Sequence, residues 1–322
     1  MILILSDGNF DKSSYDVFKW VLRHRGSVEI LSSREFISSI SFSMSIFDDE
    51  ISLSLKKGNI DICLDNVNVI WNWRWGDYGL DNIYIDNCYE LKRFSYKEIE
   101  VIKEIIFSRL KDKYWIGSKH INKIEVLIAA KNAGLKTPDT QITTSKYVLE
   151  EFMTKHDKII IKPLSNPIFF SDKKDRYGMY TKELSYNILK SVPLHFFPIL
   201  TQQHIEKDFE VRSFYIDKNF YSAAIISQDD EKTKVDFRNY NKETPNRVIP
   251  FQLPTSIEHQ LQILMQNMSL DTGSIDIIYS KGEYYFLEIN PVGQFDMIST
   301  PCNYNLDEKI AKYLIKKDHD EV

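Results

Sequence analysis

The stretch Gly273-Ser274-Ile275-Asp276-Ile277-Ile278-Tyr279-Ser280-Lys281-Gly282-Glu283-Tyr284-Tyr285-Phe286-Leu287-Glu288-Ile289-Asn290-Pro291 decides how this chain is read. Two β-rich runs, 274–279 and 283–290, flank Ser280-Lys281-Gly282, and a three-residue loop with glycine last is a common hairpin turn because glycine accepts positive φ there. With Tyr279 set opposite Glu283, Asp276 falls opposite Phe286 and diagonal to Glu288, on the face that also carries Asn290, at roughly 7–8 Å between backbones. The other face holds Ile275, Ile277, Tyr285, Leu287 and Ile289, an apolar set that must be buried. Two carboxylates and an amide beside such a core suit a hard, oxygen-seeking cation, and magnesium takes one or two carboxylates plus phosphate oxygens. An amphipathic hairpin with a solvated polar face is the other reading of these residues taken alone.

The rest of the chain is that of an ordinary soluble enzyme. Its 322 residues, 43% hydrophobic, suffice for two or three domains around real cores. A net charge of −5 gives no electrostatic reason to expect a nucleic-acid partner, so local lysines must do any phosphate work. The amino-terminal apolar run is too short for a signal peptide, and no run approaches the ~20 residues that span a bilayer, so the expectation is a cytoplasmic protein with no membrane partner. Cys63, Cys88 and Cys302 are widely spaced and read as reduced structural thiols, with neither a disulfide framework nor a zinc site. The seven histidines are scattered and define no triad or metal pattern.

Three parts are expected: an N-terminal α/β domain over 1–115, a central subdomain over 116–203 and a C-terminal subdomain over 204–322 carrying the magnesium site. The first opens with a buried strand at 2–5, a helix near 14–24 and a strand at 28–31, with no Gly-x-Gly-x-x-Gly after strand one. Trp71, Trp73 and Trp75 alternate with Asn72 and Arg74, which predicts a strand with its indoles on one face, as an interdomain seam or, less simply, a substrate contact. Arg74 reads equally as a stacked structural cation or an anion ligand. A charged amphipathic helix is expected over 92–112. In the second part, 122–130 form a helix pattern ending at Asn132-Ala133-Gly134, and Ile159-Ile160-Ile161 form a short strand that delivers Lys162 at its end, where Pro163 stops regular structure. A lysine on a rigid strand end suits phosphate binding; taken singly, lysines such as Lys123 and Lys162 are more often solvated surface residues, and it is their order in the chain that changes this.

Taken in order, Lys123 before a helix, Lys162 closing a strand, Thr201-Gln202-Gln203-His204-Ile205-Glu206 followed by Glu210 and Arg212, then Asp276, Glu288 and Asn290 resemble the ATP-grasp ligase superfamily over about 200 residues. The resemblance implies the ATP-grasp fold, mixed α/β and α+β: ATP clamped between two α+β subdomains behind an N-terminal α/β domain. It places Lys123 and Lys162 near the nucleotide and its phosphates, the backbone around His204 and Ile205 against the adenine edge, and Gln203 at the hinge. Glu210 falls on the ribose, and Asp276, Glu288 and Asn290 become the Mg2+ ligands. The sequence departs from the superfamily at 164–182, which holds only Gly178 where a glycine-rich loop often covers the phosphates, and is instead crowded with Phe169, Phe170, Asp172, Lys173, Lys174, Asp175 and Arg176. A basic-aromatic lid is the expectation there.

Trp71-Asn72-Trp73-Arg74, Asp236-Phe237-Arg238-Asn239-Tyr240 and Leu287-Glu288-Ile289-Asn290-Pro291-Val292-Gly293-Gln294-Phe295 further resemble the peptide-modifying ATP-grasp enzymes of microviridin-type biosynthesis, the graspetide ligases, and the grasp-with-spasm maturases in particular. That resemblance implies a macrocyclase that activates Asp or Glu side chains of a ribosomal precursor peptide, leader plus core, as acyl phosphates and joins them to Ser/Thr hydroxyls or Lys amines. Lys162, Arg212 and Arg238 would lie at the transferring groups. It also implies leader recognition by the central domain, with Glu210 to Ile226 as the docking element, and suggests a homodimer. Two other functions fit the same residues: a RimK-like ligase adding glutamate or other amino acids, and a nucleotide-responsive peptide-binding module, against which the complete metal and phosphate set argues.

Overall fold

The computed structural model describes residues 1–8, 11–48, 50–76, 78–80, 89–117, 121–165, 169–171, 176–178, 181–228 and 246–320. The first unit runs β1 (Ile2–Ser6), α1 (Lys12–Arg23), β2 (Val28–Ser32), β3 (Ile40–Phe47), β4 (Glu50–Lys57), β5 (Ile60–Asp61), β6 (Val69–Asn72), α2 (Tyr89–Arg109) and β7 (Tyr114–Gly117). Its main sheet has the order β2-β1-β6-β7, and every pairing in it is parallel. β1 lies inside that sheet and is buried along its whole length, which is why it reads as an unbroken apolar run.

The tryptophan strand is shorter than its alternation suggests. The amides of Trp73 and Arg74 both donate to the Leu5 carbonyl, at 3.1 and 3.0 Å, which turns the chain off the ladder after Asn72. Trp71 and Trp73 pack together in one core, whereas Trp75 lies against Phe36 and Phe107 in another, so the three indoles do not share a face. Trp73 also meets Phe295 at 5.4 Å between rings, and this core joins β1, β6 and α1 to the C-terminal elements: the indoles of Trp71 and Trp73 are a seam between units. Arg74 stacks over Trp73.

The middle of the chain forms α3 (Lys123–Asn132), β8 (Thr140–Ser145), α4 (Lys146–Lys155), β9 (Ile159–Lys162), β10 (Phe169–Ser171), β11 (Arg176–Gly178), β12 (Lys182–Glu183), α5 (Tyr186–Ser191) and β13 (His195–Gln203). Asn122 caps α3, its side chain accepting from the Ile124 amide at 2.8 Å. β12-β9-β13-β8 make a four-stranded sheet, and β10 and β11 pair as a separate antiparallel ribbon. That ribbon occupies the segment read as a lid; its loop, 172–175, lies outside the described residues.

The last unit comprises β14 (Phe209–Ile216), β15 (Asn219–Ile226), β16 (Arg247–Phe251), α6 (Thr255–Asn267), β17 (Thr272–Ser280), β18 (Glu283–Asn290), α7 (Asp296–Ser299) and α8 (Leu306–Asp320). Its antiparallel sheet has the order β16-β15-β14-β17-β18, with α3 and α6 over a core that includes Val126, Leu261, Ile275, Ile277 and Phe286. β14 and β15 meet at Asp217-Lys218, both at positive φ, as a two-residue hairpin demands. β14 is almost wholly buried and paired on both sides, and β15 pairs with β14 along its length and with β16 from Ser222 to Ile226, so the Glu210 to Ile226 hairpin builds the interior of the sheet.

The β17–β18 hairpin also corrects its predicted register. Its turn is the two-residue pair Lys281-Gly282, with φ of 49° and 87°, so Tyr279 faces Tyr284 and Ser280 faces Glu283. A bulge at Leu287 then restores the face: Ile277 pairs with Phe286, but Asp276 pairs directly with Glu288. Phe286 therefore replaces Tyr285 and Leu287 in the core.

Candidate functional site

A cleft opens where the four-stranded sheet meets the five-stranded one, and its walls include Ile160 and Lys162 of β9, Gln202 and Gln203 of β13, the hinge residues His204 and Ile205, Glu210 of β14, Asp276 and Ile278 of β17, and Leu287 and Glu288 of β18. Of the residues expected at a nucleotide site, Lys162, Gln203, His204, Ile205, Glu210, Asp276 and Glu288 line this one cleft. The bulge contributes directly, since it turns Leu287 out of the core and into the cleft near Ile160 and Ile278, leaving apolar walls suited to a planar base.

Cross-strand pairing builds the acidic face. Arg212 of β14 is paired with Asp276 of β17, which is paired with Glu288 of β18, so the three side chains form a row across adjacent strands. Arg212 Nη1 donates to both Asp276 carboxylate oxygens, at 2.7 and 2.9 Å, and Nη2 donates to the Gln294 carbonyl at 3.2 Å. Arg212 is 4% and Asp276 7% exposed. The Gln294 carbonyl is held in place by Ser274 Oγ at 3.1 Å and by the turn in which the Gly293 amide bonds to Asn290 O at 2.9 Å. Asn290 pairs with Ser274, one step along the same face, and stands next to the cleft rather than in its lining.

This donor set fits a magnesium ion. Asp276 and Glu288 are side by side, and Asn290 adds an amide oxygen. Among the described residues no three His, Cys, Asp or Glu side chains form a closed cage, so a cation on this face would need the amide and phosphate oxygens to complete its shell.

At the other end of the cleft, Glu210 forms a buried ion pair with Lys207. Burial holds the His204 imidazole below its ordinary pKa, with the Glu183 carboxylate 3.6 Å from Nδ1 pulling the other way. The His204 amide donates to Lys158 O at 3.0 Å and the Gln203 amide to Asp139 O at 2.8 Å, so the hinge is pinned to the central sheet. Lys123 Nζ donates to Ser165 O at 3.2 Å, just past Lys162; it braces the start of the lid segment and does not line the cleft. Arg238 lies outside the described residues.

Sequence reasoning missed Gln202. This residue is 2% exposed and lines the cleft; its Nε2 donates to Thr140 Oγ1 at 2.9 Å while its Oε1 has no partner. A buried acceptor with no donor is costly unless a ligand supplies one. The signal was present in the sequence, since Gln202 adjoins Gln203; both line the cleft, and only the fold shows that Gln202 is the buried one of the two.

Residues 119–314 match the model of the RimK-like ATP-grasp domain. Among curated proteins none matches. Among solved structures, the RiPP-associated ATP-grasp ligase of Chryseobacterium gregarium, in complex with ADP and a leader and core peptide, superposes with a TM-score of 0.84 at 23% identity, covering 100% of this chain and 97% of that one. The macrocyclase MdnC of Microcystis aeruginosa MRC, bound with precursor peptide MdnA, gives a TM-score of 0.84 at 24% identity, covering 98% and 100%. The ATP-grasp ligase PsnB, complexed with a phosphomimetic variant of minimal precursor, Mg and ADP, gives 0.78 at 16%, covering 98% of each chain. These likenesses establish a shared fold over the full length, the N-terminal unit included. With a family model spanning more than half of its residues, the chain belongs to the RimK-like ATP-grasp family.

Proposed function

We propose that this protein is an ATP-dependent, ADP-forming peptide ligase that activates Asp or Glu side chains of a ribosomally made precursor and joins them to Ser/Thr hydroxyls or Lys amines of the same peptide. The observation that carries this reading is the Arg212–Asp276–Glu288 row opening into the same cleft as Lys162 and the hinge. Full-length likeness to structures solved with precursor peptides supports a peptide substrate over a free amino acid.

A carboxylate resists attack by alcohols and amines because oxide is a poor leaving group. One carboxylate oxygen bonds to the γ-phosphorus as the bond to the ADP oxygen breaks, and the resulting acyl phosphate is then displaced by the hydroxyl or amine, which loses a proton as phosphate leaves. The protein's contribution is positioning and charge neutralisation. Asp276, Glu288 and Asn290 would hold Mg2+, which when bound supplies charge neutralisation to the phosphate oxygens. Lys162 brings a compact cation to the phosphates from the rigid end of β9. Arg212 orients Asp276 through both of its oxygens, and Glu210 meets the ribose hydroxyls. The apolar walls at Ile160 and Leu287 exclude water from the base.

The test is the intact mass of a precursor peptide, encoded beside the gene, after incubation with protein, ATP and Mg2+. The expected result is a loss of about 18 Da per ring, one water, that requires ATP and disappears in Glu288→Ala. A gain of one amino-acid residue instead would make the enzyme an amino-acid ligase.

A further inference from the structure

A second recess lies behind the hinge, on the opposite side of Pro138 from the nucleotide cleft. It has a volume of about 470 Å3 and runs between α3 and α4 along the start of β8. Leu127, Ile128, Ile142 and Phe152 give it apolar walls, and Lys131 and Lys155 stand at its rim. Ile128 is 56% and Ile142 45% exposed, an unusual amount of aliphatic surface to leave in a concave site.

β8 is the edge strand of its sheet, bonded to β13 on one side; among the described residues no strand pairs with its other side. Its sequence, Thr140-Gln141-Ile142-Thr143-Thr144-Ser145, contains no proline and no charge, the usual devices that keep an edge from pairing. An open edge beside an apolar recess is the arrangement that captures an extended peptide: the backbone ladder supplies affinity and the recess takes alternate side chains. The rim charge selects the sign of the guest. The lining also carries Asp139, 3.7 Å from His156 Nε2, and Lys155 is shared with Glu151 at 2.8 Å; Lys131 makes no ion pair among the described residues, which leaves one cation for an acidic side chain in a chain of net charge −5.

We propose that the outer edge of β8 and the adjoining recess are a docking site for an extended, acidic-apolar segment of the substrate peptide, which adds to the sheet as a fifth strand. This rests on the peptide-ligase reading. The site is wired to the nucleotide cleft: Pro138 lines both, and Thr140, the first residue of β8, accepts the hydrogen bond from Gln202 in the cleft wall. A peptide seated on β8 would therefore fix the strand that holds Gln202.

The probe is a fluorescein-labelled dodecapeptide of alternating valine and glutamate, titrated with the full chain and read by fluorescence anisotropy. Binding is expected to weaken at least tenfold in Ile128→Glu and in Ile142→Glu, and equally when alternate peptide amides are N-methylated or valine is replaced by serine. ADP binding of both variants reports that they are folded. Undetectable binding to the wild-type chain, or equal binding to wild type and both variants, overturns the proposal. A concentration-dependent dimer in sedimentation that Ile142→Glu abolishes would assign the edge to a second copy and overturn it too. Because the readout is peptide binding, its failure leaves the ligase reading to the mass assay, and failure of the mass assay leaves this site to the titration.

Discussion

Removing Arg212 tests the construction of the acidic face more sharply than removing either carboxylate. Its guanidinium satisfies both oxygens of Asp276 at 2.7 and 2.9 Å in a setting where both residues are buried, and Glu288 stands directly across the next strand pair. In Arg212→Met, Asp276 loses the guanidinium that satisfies both of its oxygens, and breaking a buried pair from one side costs about 3–5 kcal/mol. We expect about 4 kcal/mol. Asp276→Leu should cost less, about 2 kcal/mol, because Glu288 is close enough to take over part of the guanidinium charge. The double variant removes both members and should lose about 3 kcal/mol, a coupling of about 3 kcal/mol between the sites. Urea unfolding followed by tryptophan fluorescence suits the measurement, since Trp73 packs on Phe295, one residue beyond the Gln294 carbonyl that Arg212 also holds. In Arg212→Met, magnesium without nucleotide should raise stability by about 1.4 kcal/mol at ten times its Kd. Additive single variants, with a coupling below about 0.5 kcal/mol, would refute the claim that this row is one electrostatic unit.

Three further outcomes follow from particular contacts. Gln202→Leu removes the unpaired acceptor in the cleft wall and should weaken ATP binding by about 3–10-fold, the worth of one hydrogen bond, in calorimetric titration, with the fold unchanged. Gly293 has φ of +66°, and an added Cβ would come within 2.9 Å of Phe214 Cε2; Gly293→Ala should destabilise the protein by about 1–2 kcal/mol in thermal melts and displace the Gln294 carbonyl from Arg212. Asp307, pushed up to about 6 mainly by burial and then by Asp296 and Asp16, keeps a proton in the folded state that the unfolded chain gives up. Stability should thus fall as pH rises from about 4 to 6, and Asp307→Asn should gain about 1 kcal/mol at pH 7, after discounting for solvent screening, and almost nothing at pH 4, in urea unfolding at the two pH values.

The sequence carried the signals that depend on local order. Unbroken apolar runs marked β1 and β9, the pattern from 122 to Gly134 bounded α3, and Lys162, Glu210, Asp276 and Glu288 line one cleft because strands and hinges come in fixed sequence. What failed depends on contacts between distant segments. Period-two alternation placed three indoles on one face, yet a single acceptor, the Leu5 carbonyl, ends β6 at Asn72 and sends Trp75 to a different core. Composition marked a turn at Asp217-Lys218-Asn219, of which Asp217-Lys218 form it and Asn219 opens β15, but not that the strands on either side are interior to a five-stranded sheet.

The β17–β18 hairpin explains why Asp276 and Glu288 share a face although the predicted register was wrong. A three-residue loop would have set Asp276 diagonal to Glu288; the actual two-residue turn moves every pair by one, which by itself would put the two carboxylates on opposite faces. The extra residue at Leu287 shifts the pairing by one more from Asp276 onward, which returns the carboxylates to one face as a direct pair while the residues nearer the turn exchange roles. A bulge thus does two jobs with one residue. It brings Asp276 and Glu288 into register with Arg212, and it expels Leu287 from the core into the nucleotide cleft, its former place being taken by Phe286. Neither effect is local, because nothing in Tyr285-Phe286-Leu287 distinguishes the residue that will bulge from its neighbours. The choice is made by the burial of Phe286 against Ile277 and by the pairing that Arg212 imposes on Asp276, two constraints that exist only once β14, β17 and β18 lie side by side.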